Sequence, residues 1–230
     1  MGALRSWTIF GLMTVTWLAM GLGCSEEPVV VPERRVEPRP AEPVIPGFDA
    51  LTAPTPGRGE VALPIWNADD IRFEHPVRQL AAKLGRSRMV SQVLLGEDAE
   101  TGVMITFYGE GFLPGSYPVL AATDETRSAH AGRDSSVATV VLGAGNSRYL
   151  HSTEGMLTIE AVDEGSVTGR VEATIQSETN LRQTVIRARF VATPEQWLNA
   201  QLEHQEAIRD QLRNNGGSGM RRGMRRGMRR

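Results

Sequence analysis

Apolar residues recur at every second position over most of residues 59–193, and this limits the chain more than any other feature. Leu157, Ile159 and Ala161 alternate with polar neighbours, as do Val167, Val171, Ala173 and Ile175, and Ile186, Ala188 and Phe190 against Arg187 and Arg189. Val103, Ile105 and Phe107 share a face in the same way, and Val137 to Leu142 is almost continuously apolar. A period of two places one set of side chains on each face of a pleated strand, so these runs predict strands with one buried face. Turn residues separate them: Asp98 to Gly102, Pro114-Gly115, Gly143 to Asn146, and Asp163 to Gly165. Short strands joined this way predict a mainly β domain over 59–193, an antiparallel sandwich or barrel. One short helix is expected near its start, with Pro76 at the first position and Gly85 at the end, around Val77, Leu80, Ala81 and Leu84.

The flanks obey other rules. Residues 24–58 hold eight of the chain's 13 prolines together with charges of both signs. Proline lacks a backbone donor and restricts its predecessor, so this stretch reads as a disordered tether reaching on the order of 100 Å; a proline-motif docking site is the other reading. Residues 194–215 switch to a period of 3.6, with a possible capping box at Thr193 and Gln196 and Pro194 at the first position. Trp197, Leu198, Leu202, Ile208 and Leu212 form an apolar arc, contaminated by Gln201, Gln205 and Arg209. The arc predicts an amphipathic C-terminal helix that packs on the β-domain or binds a partner. Asn214 to Gly219 is expected to stop it. Residues 216–230 then read as a disordered tail built on a Met-Arg-Arg-Gly repeat, which carries Arg221, Arg222, Arg225, Arg226, Arg229 and Arg230.

Charge separates body from tail. The total is 25 basic against 27 acidic groups, but residues 24–219 hold 18 basic against all 27 acidic ones. An acidic body argues against a globally basic nucleic-acid binder. The tail is either a polycation for anionic lipid or lipopolysaccharide, or a coding-repeat extension with little role. With a single cysteine, no disulfide framework and no multi-cysteine zinc or iron–sulfur site can form.

That cysteine ends the most informative segment. Arg5 precedes a charge-free run from Trp7 to Gly23, and the chain turns polar at Ser25-Glu26-Glu27. A positive start, an apolar stretch and small residues at a cleavage point make residues 1–23 a secretory signal. Gly21-Leu22-Gly23-Cys24 resembles the lipobox of bacterial lipoproteins, with Gly21 standing where a leucine is usual. The resemblance covers about 25 residues and implies cleavage before Cys24 and acylation of its thiol. It also implies attachment to the bacterial cell envelope; Ser25, rather than aspartate, is similar to the default sorted to the outer membrane. A plain signal peptide with Cys24 as a free thiol is the alternative. The strand-and-turn pattern around Gly115 to Tyr117, Gly155 to Ile159, Val167 to Val171 and Phe190 resembles a β-rich domain of uncharacterised envelope lipoproteins, which implies no particular activity.

No catalytic, metal or cofactor site is expected. His75, His130, His151 and His204 are widely spaced, without the short pairing a zinc site uses. Glu97, Asp98 and Glu100 are the best candidates for a calcium loop, but they read first as a solvated turn, since charges at strand ends are ordinary. Gly143 to Ser147 has the glycines of a phosphate loop but no lysine, since the only lysine is Lys83. Trp66 and Tyr108 could frame a carbohydrate site or fill a core. The chain therefore reads as a membrane-anchored envelope lipoprotein with a non-enzymatic binding or structural role. An envelope hydrolase with an unrecognised site on the β-domain is the alternative.

Overall fold

The computed structural model describes residues 45–67, 70–72, 75–145, 148–177 and 181–224, of which 65–67, 70–72 and 213–224 are described by backbone alone. The strands are β1 (Arg58–Ala62), β2 (Ile65–Asn67), β3 (Asp70–Arg72), β4 (Val77–Arg86), β5 (Val90–Leu95), β6 (Val103–Tyr108), β7 (Gly115–Leu120), β8 (Val137–Gly143), β9 (Tyr149–Asp163), β10 (Ser166–Ser177) and β11 (Gln183–Pro194). Helix α1 (Asp124–His130) lies between β7 and β8, and helix α2 (Gln196–Met224) follows β11. β2 and β3 pair only with each other. The remaining nine strands form one sheet in the order β1-β11-β10-β9-β7-β8-β6-β5-β4. The order closes on itself because β4 also pairs with β1, from Arg58 opposite Ala81 to Ala62 opposite Val77. Pairing is antiparallel apart from two-residue parallel contacts between β11 and β4 and between β7 and β8.

The alternation read from the sequence sets the inside of this ring. Along β10 and β11 every second residue is buried, and Val171, Ile175, Ile186 and Phe190 are wholly inaccessible. They meet Ile105, Phe107, Leu157 and Ile159 from the other side in one continuous apolar cluster. Phe107 stacks on Phe112 with centroids 5.1 Å apart and meets Tyr117 edge-on at 4.9 Å. Each such side chain contributes about 1.5–3 kcal/mol on burial. The mainly β expectation holds.

β9 is long because it serves two partners. Its first residues pair with β8 and its later ones with β7. Extra residues at Thr153 and Glu160, which have no partner on β10, bend it. Between the bends Gly155 has φ +153°, and a Cβ there would lie 2.2 Å from the Glu172 carbonyl, so only glycine fits. At the change of partner, Ser152 Oγ donates to Leu120 O (2.6 Å) and accepts from Val140 N (3.0 Å). This hydroxyl ties β7 and β8 where they diverge, and the chain between them leaves the sheet to form α1.

Three expectations are corrected. The stretch from Pro76 to Gly85 is not a helix: Val77–Arg86 is strand β4, paired on both edges. Of Val77, Leu80, Ala81 and Leu84 only Leu84 is buried, at a period of two with Ala82, and pairing with β1 and β5 overrides the local helix signal. Gly85 serves packing, because a Cβ there would lie 2.5 Å from Leu198 Cγ of α2.

The second correction concerns residues 45–57, assigned to the tether. A 3-10 turn at Phe48–Ala50 leads into Leu51, which is 2% exposed. Arg187 donates to the carbonyls of Ile45 and Pro46, both at 3.1 Å, and Arg189 to that of Leu51 at 3.1 Å. The segment straps the outer face of the sheet instead of hanging free. The third correction is at the far end, where α2 continues through Asn214 to Gly219 as far as Met224. Glycine lowers helix propensity but keeps its backbone donor, so unlike proline it need not end a helix. The helix starts at Gln196, after β11 has run on to Pro194, so Thr193 lies in the strand and does not cap it.

Candidate functional site

With the interior of the ring filled, the space for a ligand is outside it. Strands β5, β6 and β8 turn a row of polar side chains outward, Gln92 beside Thr106 beside Thr139. The next row outward is Met104, Val141 and His151. Gln92 Nε2 donates to Thr106 Oγ1 at 3.2 Å. These rows are the floor of a groove of about 700 Å³, walled by α1 and its following turn on one side and by α2 on the other.

Each wall is held by identifiable bonds. Thr123 caps α1, its Oγ1 accepting from Thr126 N at 3.1 Å, and Ala122 N donates to Ser152 O at 2.8 Å. The residues facing the groove from this side are Arg127, Ser128 and Ala131. α2 is seated by Leu198 and Leu202, both buried, with Leu202 packing on Val90 and Tyr108. Asn199 Oδ1 accepts from Arg86 N at 2.7 Å, and Glu206 Oε1 accepts from Ser87 Oγ at 2.8 Å and Met89 N at 3.2 Å. Gln201, Gln205 and Arg209, spaced by four and so stacked along one side of the helix, face the groove. The Arg209 guanidinium reaches across to the turn after α1: a Cβ built on Gly132 would lie 3.6 Å from it.

No Asp or Glu lines this groove. The nearest acidic partners are outside it: Arg209 lies 3.7 Å from Glu206, and Arg127 3.1 Å from Asp124 in an exposed i,i+3 pair. A smaller hollow of about 420 Å³ shares Thr123, Arg127 and His151 with the groove, so Arg127 borders both. The arrangement can hold a ligand by amide, hydroxyl and guanidinium donors above an apolar row.

The residues singled out from the sequence are scattered. Tyr108 and His151 line the groove. His130 tilts against the Tyr108 ring at 6.3 Å, His75 Nε2 is 2.8 Å from Thr184 Oγ1, and His204 is exposed on α2. Trp66 is on β2, in the separate hairpin. Asp98 Oδ1 accepts from Glu100 N, Thr101 N and Thr101 Oγ1, so its carboxylate is spent on its own turn. Those bonds, the Thr101 hydroxyl first, hold its carboxyl below the usual range. Gly143 and Gly145 spend their amides on Gly102 O and Glu100 O, which leaves them no phosphate to hold.

Among the described residues no three His, Cys, Asp or Glu side chains cluster as metal ligands, and no helix is long and apolar enough to cross a membrane. Cys24, Arg225, Arg226, Arg229 and Arg230 lie outside the described residues; Arg221 and Arg222 fall on the last turns of α2. The groove residues Gln92, Thr106, Thr139 and Arg127 carried no signal in the sequence. Gln201, Gln205 and Arg209 did, as the polar interruptions of an otherwise apolar helix face. Comparison with protein families, with curated proteins and with solved structures finds nothing that matches this chain.

Proposed function

We propose that this chain is an exported protein of the bacterial envelope, anchored in the membrane by acyl chains on Cys24, with a β-domain that binds rather than catalyses. The observation that carries the proposal is the charge-free run from Trp7 to Gly23, which ends at the chain's one cysteine. Two or three acyl chains give the paired signal that stable anchoring needs. The outer membrane is the proposed address, from the serine after Cys24. The β-domain is taken as a small closed barrel with a packed interior. Its alternation supports a domain held in water: apolar residues point in, whereas Arg170, Glu172, Arg187 and Arg189 point out, the reverse of a membrane-spanning barrel.

Binding is preferred over hydrolysis because the groove offers donors and cations but no lining carboxylate to serve as acid or base beside His151. Arg221, Arg222, Arg225, Arg226, Arg229 and Arg230 are proposed to add a second, electrostatic contact with anionic lipid or lipopolysaccharide, each worth about 1 kcal/mol near the surface.

Metabolic labelling with a fatty acid tests the anchor. Cys24→Ala should lose the label and leave the membrane fraction. Whatever of that variant remains bound should be released by about 1 M salt, where the Debye length shrinks to about 3 Å, and should disappear when residues 220–230 are also deleted. Undiminished labelling of Cys24→Ala would overturn the anchor, and salt-resistant residual binding would overturn the role of the tail.

A further inference from the structure

We propose that the groove between α1 and α2 is a binding site for a small organic anion, a carboxylate or phosphate ester with an apolar body, gripped by Arg127 and Arg209 from opposite walls. The proposal rests on the reading of the β-domain as a binding module and adds the class of ligand.

Three observations converge on it. The first is sign. Residues 24–219 carry nine more acids than bases, yet the groove is lined by two arginines and no carboxylate. Asp124 and Glu206 pair with these arginines from outside the hollow, so the groove turns cations and neutral donors, and no carboxylate, toward a ligand. The second is placement. Arg127 belongs to the short helix that leaves the sheet between β7 and β8, and Arg209 to the helix seated on β4 and β5, so the two guanidinium groups approach the groove from separate elements. The Arg209 guanidinium lies 3.7 Å from Glu206 and beside Gly132, where a Cβ would be 3.6 Å from it. Glu206 is in turn bonded to Ser87 and Met89, which fixes the helical turn that presents Arg209. A planar, pre-positioned guanidinium suits two-point recognition of carboxylate or phosphate oxygens.

The third observation is the polar side of α2. Leu198 and Leu202 seat the helix on the sheet, while Gln201 and Gln205 are exposed and Arg209 half-buried along the side that borders the groove. Spaced by four, these three side chains line the groove with donors a ligand can use. Between the arginines, Met104 and Val141 supply an apolar strip beside the Thr106 and Thr139 hydroxyls, so the anion is accompanied by a body with an apolar edge. The Arg127–Asp124 pair is exposed, and such pairs are weak; Arg209 stands 3.7 Å from Glu206, whose Oε1 already accepts from Ser87 and Met89.

The test uses the full chain in nanodiscs of neutral phosphatidylcholine, with empty discs as background. Equilibrium dialysis compares phenylbutyrate, phenylpropyl phosphate and the uncharged phenylbutanamide. At least one anion should bind at one site roughly tenfold or more tighter than the amide; which of the two binds tighter assigns carboxylate or phosphate. Arg209→Gln and Arg127→Gln should each remove most of that preference while leaving amide binding unchanged, and Arg209→Lys should keep part of it. Circular dichroism shows that each variant is folded. Equal binding of anion and amide, an unchanged preference in both glutamine variants, or no binding of any probe would overturn the proposal. Labelling of Cys24 is read independently, so failure here leaves the anchor standing, and loss of the anchor leaves the groove result intact.

Discussion

The outer face of β1, β10 and β11 and the outer face of β5, β6 and β8 arise from the same alternation, but one is covered and the other open. On the covered face Arg187 bonds two carbonyls of the 45–52 strap and pairs with Glu172, Arg189 bonds the Leu51 carbonyl, and the Arg170 guanidinium sits 5.4 Å from the Phe48 ring centroid. Thr52 N donates to Glu60 at 2.6 Å, and Gln79 Nε2 donates to the same carboxylate at 3.1 Å. On the open face Gln92, Thr106 and Thr139 look into the groove, and Arg127 and Arg209 stand at its rim. Outward-facing polar residues are therefore not interchangeable surface. In one place they fasten the chain's own backbone, and in the other they pair with one another around an open groove.

The largest expected difference between the faces is in packing. Leu51→Ala removes a buried side chain beneath the strap and should cost about 2–4 kcal/mol in a urea titration. Thr106→Val on the groove floor loses only the bond from Gln92, and should cost about 1 kcal/mol or less. Equal losses would mean that the two faces are not differently built.

The same substitution on each face gives a smaller and cleaner contrast. Arg187→Gln gives up bonds to two carbonyls and to Glu172 on a side chain only 22% exposed, and should cost about 1–3 kcal/mol. It should also raise amide exchange across residues 45–52. Arg127→Gln gives up one exposed pair and should change stability by about 0.5 kcal/mol or less. If Arg127→Gln destabilises as much as Arg187→Gln, its guanidinium is structural and unavailable to a ligand.

How much of this was legible follows from what each feature leaves in a side-chain pattern. β9, β10 and β11 announce themselves because burial of one face imposes alternation. β4 does not, since Val77, Leu80, Ala81 and Leu84 fit a helix as well as a strand, and Pro76 and Gly85 look like its ends. What decides is pairing with β1 and β5, and neither strand is near it in pattern. The strap was hidden for another reason. Its bonds use backbone carbonyls of Ile45, Pro46 and Leu51, which no residue type encodes, and the arginines that hold them look like ordinary outward-facing charges. The groove was half visible: Gln201, Gln205 and Arg209 spoil an apolar arc, but nothing in the strands distinguishes Gln92 or Thr106 from any solvated position. Of the five residues proposed for the apolar arc, Leu198 and Leu202 are buried, while Trp197, Ile208 and Leu212 are not. Trp197 instead lies against Lys83, whose ammonium is 5.8 Å from its ring centroid.

The smallest expected effect is one of pH, and it separates the faces because only the covered one holds a buried carboxylate with a lowered pKa. Glu60 is 6% exposed, and the Thr52 hydroxyl, with Gln79 and the Thr52 amide, outweighs burial to hold its carboxyl below its ordinary value of 4.5. A group with a depressed folded pKa binds its proton more readily when unfolded. It therefore adds stability that is fully present above the ordinary value and is lost as pH falls through the lowered one. Asp98 is shifted in the same direction, but it lies on an exposed turn between β5 and β6 and should contribute little. Glu60→Gln removes the charge and sets an amide donor where a carboxylate oxygen accepted from Thr52 or Gln79, so it should already lose at pH 7 what the wild type loses in acid, and flatten the acid limb of the stability curve. Under the same titration the strap's amides should lose protection from exchange before the groove's floor does. An acid limb that keeps its full slope in Glu60→Gln would mean that the strap's carboxylate is not what makes the covered face sensitive to acid.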